Sequence, residues 1–226
     1  MIGDRKAFIR TNTRLKPVPH VPEISLYVAD ESVPLWLKTE EELGAMGLPP
    51  PYWAFAWAGG QALARYVLDN PQAVAGQRVL DLASGSGLVA IAAAMAGAAP
   101  VIAADIDAFT ESAVALNAEA NDVYIEVLVQ DLFDNDLLDQ PAQRYDVILV
   151  GDLFYERDTA ARALAFLDRH AMSGTRVLIG DPGRTYLPKE RLTQLAEYSV
   201  PVTRELEDLE IKRTTVWELY PLPAKR

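Results

Sequence analysis

Strand-length apolar runs exchange with helical runs roughly every ten to fifteen residues from residue 78 onward, the spacing of parallel strands joined by helical crossovers. Residues 78–82, 101–104, 124–129, 145–150 and 176–180 read as strands. Residues 88–97, 110–121, 159–170 and 188–197 read as the helices between and after them, and a helix over 60–68 precedes the series, ended by Asp69-Asn70-Pro71. Right-handed crossovers then give a doubly wound sheet. Only the tail breaks the rhythm. Residues 199–206 and 212–220 are β-rich runs with a charged turn and no helix between them, which predicts an antiparallel hairpin closing the sheet. Residues 1–50 are Pro-rich, with short pieces such as an extended 24–28 and a helix over 39–46, and form an N-terminal extension to one domain at 51–226.

Composition narrows the chemistry. With 226 residues, half of them apolar, the chain can bury one substantial core. Lys and Arg total 21 against 32 Asp and Glu, a net charge of -11, which disfavours a polyphosphate partner. There is no cysteine, so disulfides, thiolate zinc sites and a cysteine nucleophile are excluded. His20 and His170 are the only histidines; they lie too far apart in sequence for a His-rich metal site, and His170 sits where a helix ends and its last carbonyls need donors. The N-terminus lacks an apolar signal core, and no run reaches the roughly 18 apolar residues of a membrane span. The expectation is a soluble, cytoplasmic protein without a metal.

The segment from Val79 to Ala90, with sequence VLDLASGSGLVA, is a strand, a turn of small residues and a helix start in immediate succession. Gly85 and Gly87 let backbone approach a ligand, and the helix N-terminus behind them favours anionic groups. The same pattern fits a dinucleotide fingerprint, with Asp105 at about the distance of a ribose-binding acid. Asp81, whose plain alternative is a structural cap for the loop, tips the balance. An acid inside the strand repels a pyrophosphate but suits an ammonium, and S-adenosylmethionine carries an α-ammonium, a carboxylate and a sulfonium. Asp105, ending the second strand, is placed to accept hydrogen bonds from two ribose hydroxyls. Asp107 reads as a helix cap, and Asp131 as either a partner for an adenine amino group or a turn former.

These residues, with Asp152-Leu-Phe-Tyr155 after the fourth strand, resemble the seven-strand protein lysine methyltransferases often called family 16, which carry an acid-x-x-Tyr motif there. The run from Pro51 to Tyr66, PYWAFAWAGGQALARY, together with Gly180-Asp-Pro-Gly-Arg184, is similar to the members that modify the β subunit of electron transfer flavoprotein. The resemblance implies a Rossmann-like seven-strand methyltransferase fold. It also implies S-adenosylmethionine as cofactor and a target lysine on a protein substrate, that β subunit first. Asp152 and Tyr155 become the expected catalytic pair: Asp152 docks and aims the amine, and Tyr155 borders its slot. Trp57 is expected to wall the cofactor pocket, with Gly59 and Gly60 permitting close approach. Ala83, Ser84, Ile106, Leu132 and Gly151 complete the expected cofactor contacts, while Trp53 and Phe55 read as core.

A small-molecule N- or O-methyltransferase is the nearest alternative, because fold and loop are common to both. A nicotinamide-dependent oxidoreductase or nucleotide-binding module is more remote. A nucleic-acid amino-methyltransferase is disfavoured, since Leu48 precedes Pro49-Pro-Pro-Tyr52 where that class needs a polar residue.

Overall fold

Asp4 accepts the Ala7 N–H and so caps the first helix, α1 (Arg5–Asn12), which buries Ile9. The chain then makes a two-stranded antiparallel ribbon, β1 (Arg14–Val18) and β2 (Val21–Val28). In this computed structural model the described residues are 4–29, 44, 50–133, 144–202 and 210–221. The helix expected over 39–46 lies outside them apart from residue 44. A single 3-10 turn (Tyr52–Ala54) leads into α2 (Ala58–Asp69).

After α2 come β3 (Val79–Leu82), α3 (Leu88–Met95), β4 (Val101–Asp105), α4 (Ala108–Ala120), β5 (Glu126–Val129), β6 (Val147–Gly151), α5 (Arg157–Met172), β7 (Arg176–Asp181), β8 (Leu192–Pro201) and β9 (Ile211–Leu219). The strands β3 to β9 form one seven-stranded sheet in the order β5-β4-β3-β6-β7-β9-β8. The strands from β5 across to β7 are parallel, while β9 pairs antiparallel with both β7 and β8. This is the expected doubly wound architecture with its closing hairpin. The order reverses at β3: the chain moves outward to β4 and β5, then returns to place β6 on β3's other side. Ligands in such sheets bind beyond the carboxyl ends of the strands at this reversal.

Period-2 alternation sends each strand's side chains to opposite faces and so builds two cores. Val79, Ala103, Leu149 and Leu178 join one with α2, α3 and the N-terminal ribbon; Leu80, Ile102, Ile148 and Ile179 join the other with α5. Helix α3 buries every residue from Leu88 to Ala93, the pattern of a helix surrounded by protein, and its run of alanines permits close approach to α2. Residues 4–29 are fastened in place by polar bonds as well. Asn117 accepts the Tyr27 N–H at 2.8 Å, and Asn121 both accepts from and donates to the Ser25 backbone.

Two segments differ from the sequence-based expectation. Residues 188–197, expected to be helical, form a 3-10 turn (Lys189–Arg191) followed by β8, which runs from Leu192 rather than 199. Pro188 resembles a helix-start proline, but β9 offers the segment a strand partner from Leu192 through Pro201, broken only by a register shift between Gln194 and Ala196, and that pairing overrides local propensity. Helix α1 is not foreseen either. It is a short polar helix whose stability comes from Asp4 and from Ile9 docking beside Trp53 and Phe109.

Candidate active site

Strand β3 ends in a turn that only unusual backbone can make. Ala83 has φ +56°, Gly85 +53° and Gly87 +82°, so the chain reverses within a few residues and launches α3. Asp81 is buried on β3, and its Oδ2 accepts the Ser84 hydroxyl at 2.6 Å and the Ala90 N–H at 3.0 Å. Asp105 ends β4; its Oδ2 accepts the Gly85 N–H at 2.9 Å and its Oδ1 the Asp107 N–H. These bonds discriminate between ligands. Two amides of the turn and helix start, those of Gly85 and Ala90, are here answered by carboxylates, so the acceptor set fits a ligand carrying an ammonium and hydroxyls. Burial pushes the Asp81 carboxyl up to about 7, against the Ser84 and Ala90 bonds that lower it, with Asp105 adding to the rise. A cation delivered to this turn meets an acid that gains by ionising. Ile106, beside Asp105, is 73% exposed.

The second half of the site lies at the ends of β6 and β7, against the start of α2. Asp152 follows β6 with φ +55°, a conformation a non-glycine residue adopts only when its surroundings hold it. Three groups do so: its N–H donates to the Gly180 carbonyl, its Oδ2 accepts the Gly60 N–H at 3.0 Å, and its Oδ1 accepts from Arg184 Nη2 at 2.9 Å. The carboxylate thus sits at the positive end of α2. Such proximity needs glycines. A Cβ on Gly59 would lie 2.6 Å from Asp152 Oδ2, one on Gly180 2.8 Å from the Leu63 Cβ, and one on Gly151 3.0 Å from the Gly60 Cα. Gly59 and Gly151, expected as cofactor contacts, let helix and sheet meet here, whereas a Cβ on Gly60 would meet only the Leu88 and Val89 side chains at 3.8 Å.

Aromatic residues border the space between the halves. The Tyr52 ring lies 6.0 Å from Trp57 and 6.0 Å from Tyr155, and Trp57 Nε1 donates to the Tyr52 carbonyl at 3.0 Å. The Tyr52 and Trp53 backbone passes over Gly85, within van der Waals reach of where its Cβ would be. Burial first, then the hydrogen-bonded Tyr52 and the charges of Glu156 and Asp105, push the Tyr155 hydroxyl up to about 12, so it stays neutral at physiological pH. Trp53 and Phe55 are buried, as expected of core residues.

The structure brings together Asp81, Ser84, Gly85 and Asp105 in one hydrogen-bonded turn, and Gly59, Gly60, Gly151 and Asp152 in another contact. Asp131 behaves differently: Oδ1 accepts the Phe133 N–H, the turn reading, and Oδ2 pairs with Arg162 at 2.9 Å, while Leu132 is buried in the α5-side core. Three contributors were not singled out in sequence. Tyr52 carried no signal beyond its place in an aromatic run. Arg184 lay inside a quoted motif, but only folding sets it on Asp152. Asn117, whose Nδ2 donates to the Ser86 carbonyl at 2.7 Å, holds the glycine turn from a helix thirty residues away in sequence.

Comparison with known proteins adds to this geometry. A family model described as lysine methyltransferase matches residues 40–197. The electron transfer flavoprotein beta subunit lysine methyltransferase of Mus musculus is 37% identical over 223 residues, covering 96% of this chain and 84% of its own. The Homo sapiens protein of the same name is 37% identical over 96% of this chain and 82% of its own. Among solved structures, a ribosomal protein L11 methylase from Lactobacillus delbrueckii aligns with TM-score 0.50 at 19% identity, covering 74% of this chain and 81% of its own. SMU.776, crystallised with S-adenosylhomocysteine, aligns with TM-score 0.55 at 16% identity over 87% of this chain and 53% of its own.

Proposed function

Because the chain belongs to the lysine methyltransferase family, we propose that it methylates lysine side chains of the β subunit of electron transfer flavoprotein, using the two halves of the site described above. It is a protein-lysine N-methyltransferase that depends on S-adenosylmethionine. The observation that carries the placement of the cofactor is the pair of acids in the glycine turn, Asp81 and Asp105, occupying the amides that a diphosphate would require. In this reading Asp105 receives the ribose hydroxyls and Asp81 stands behind the ammonium. Gly85 and Gly87 form the floor, and Trp57 and Ile106 supply apolar walls. Ala83, Ser84, Asp131, Leu132 and Gly151 complete the surround, with Asp131 turning toward the adenine edge from its Arg162 pair.

When bound, S-adenosylmethionine supplies a methyl carbon already activated by a sulfonium. The protein's work is orientation and removal of water. The lysine amine must first be neutral, which costs about 4–5 kcal/mol at pH 7 for an ordinary pKa near 10.4. The amine's proton would pass to solvent, and bound S-adenosylmethionine would supply the methyl group for the new N–C bond and depart as a neutral thioether. Asp152 accepts a hydrogen bond from the amine and aims it; the Tyr155 ring excludes water and its neutral hydroxyl directs the nitrogen. A protein partner rather than nucleic acid accords with the net charge of -11, and no helix among the described residues is long and apolar enough to cross a membrane. The cytoplasm is the compartment proposed.

Mass spectrometry of purified flavoprotein after incubation with enzyme and cofactor tests the substrate. Methyl groups on lysines of the β subunit are expected, and label found only in small metabolites would transfer the assignment to a small-molecule methyltransferase. Asp152→Asn keeps an acceptor for the Gly60 N–H and should lower transfer by about a hundredfold or more while S-adenosylhomocysteine affinity stays within a few-fold. Equal turnover in that variant removes Asp152 from the chemistry.

A further inference from the structure

The Asp152 carboxylate poses an electrostatic difficulty: alone beside a lysine it stabilises the ammonium, the form that cannot accept a methyl group. The structure answers it with a built-in countercharge. Arg184 Nη2 donates to Asp152 Oδ1 at 2.9 Å, with only 22% of the Arg184 side chain and 9% of the Asp152 side chain exposed. The guanidinium is held there by the loop that follows β7. Asp181, buried at the end of β7, accepts the Gly183 N–H at 2.6 Å and the Arg184 N–H at 2.7 Å through one oxygen, with Gly183 at φ +92°. Gly151 and Gly180 are register partners on adjacent strands, so Asp152 and Asp181 are the next residues along each, and the loop folds back across the gap between them.

We propose that Arg184 is a positioning residue for methyl transfer: it stays paired with Asp152 while the acceptor lysine is bound, cancelling the carboxylate's charge so that the amine is oriented by a hydrogen bond yet still sheds its proton. This inference rests on the lysine-acceptor reading of the site. A carboxylate can accept up to about four hydrogen bonds, so the Arg184 and Gly60 bonds do not by themselves exhaust it. Arginine suits the task because it remains charged at any pH the enzyme meets and cannot itself become the methyl acceptor's proton sink. The two acids thus have separate duties: Asp181 fixes the loop, the loop aims Arg184, and Arg184 sets the effective charge of Asp152.

The test is the pH dependence of kcat for transfer to the protein substrate, which reports ionisation in the bound complex. In Arg184→Gln the rising limb should move to higher pH by about one unit, so the deficit is about tenfold near pH 7 and shrinks as pH approaches 10. Arg184→Lys keeps the charge and should keep the limb close to its original position. Asp152→Asn/Arg184→Gln removes both charges of the pair and should return the limb toward the wild-type midpoint at a lower plateau; it also serves if the single glutamine variant does not fold, because the Asp152 carboxylate no longer needs Arg184, while Asp181 keeps the charge of Lys189 nearby. S-adenosylhomocysteine binding by calorimetry, expected unchanged within a few-fold in all three, separates loss of the cofactor site from loss of amine tuning. A uniform loss across the pH range, an unmoved limb in Arg184→Gln, or the same shift in Arg184→Lys overturns the proposal. Wild-type enzyme that transfers nothing to any protein lysine instead overturns the reading on which it rests.

Discussion

Asp81 shows how one buried acid ties cofactor recognition to stability. Its folded-state carboxyl is raised to about 7 from an ordinary value near 3.8, chiefly by burial. The sign follows: the protonated acid favours the folded, ligand-free protein, so this contribution is full below about pH 4 and is withdrawn as pH rises through about 7. Burial raises the Asp107 and Asp181 carboxyls too, so the wild-type decline is shared, and the difference from Asp81→Asn isolates one group. Urea denaturation between pH 5 and 7 should show a decline shallower by about 1 kcal/mol per pH unit in the variant. Affinity for S-adenosylhomocysteine should rise across the same interval in the wild type, as the acid ionises beside the ligand's amine, and should be flatter in Asp81→Asn by calorimetry. At this scale the sequence was informative about residue type and silent about partners. An acid within a strand is visible in VLDLASGSG; that Ala90 and Ser84 share its Oδ2 is not. Likewise Asp152 was legible from its motif, whereas Arg184, thirty-two positions later, acquires its role only when two parallel strand ends are laid side by side.

Helix α2 meets the sheet through glycine on both sides, and the consequences can be ranked. Gly180→Ala sets a Cβ 2.8 Å from that of Leu63 and against the Gly59 carbonyl, backbone that cannot swing aside. It should cost about 1–3 kcal/mol or more in urea unfolding, and lower transfer further by displacing the Asp152 backbone, whose N–H is bonded to the Gly180 carbonyl. Gly60→Ala meets only the Leu88 and Val89 side chains at 3.8 Å and should be far milder, within about 1 kcal/mol of wild type. The sequence pattern revealed the existence of α2 and the strands, because apolar periodicity is a local property. It misassigned 188–197 for the complementary reason. The burial pattern of β8 is irregular, its pairing shifts register near Gln194 and Ala196, and what makes it a strand is the β9 partner about twenty residues on.

Across the whole molecule, the topology places both halves of the site at the carboxyl edge of one sheet, with the acids of β3 and β4 on one side of the reversal and those of β6 and β7 on the other. Ligand binding to that edge should stabilise the fold as a unit. S-adenosylhomocysteine at a hundred times its dissociation constant should add about 2.7 kcal/mol and raise Tm by several degrees, while NADH at equal concentration should leave it unchanged. The reverse preference in a thermal-shift measurement would return the glycine turn to the dinucleotide reading. This overall plan was the most legible part, since strand–helix alternation constrains topology without reference to any single contact. Residues 4–29 were the least legible, their docking resting on Val18, Val21, Ile24 and Leu26 in the core and on a few amide side chains far along the chain. Asn117 grips the Tyr27 N–H with its oxygen and the Ser86 carbonyl with its nitrogen, one side chain spanning the N-terminal ribbon and the glycine turn. Amide hydrogen exchange should therefore find those two regions opening in concert, and Asn117→Ala should uncouple them: the N-terminal ribbon keeps time for the turn that would cradle a ligand.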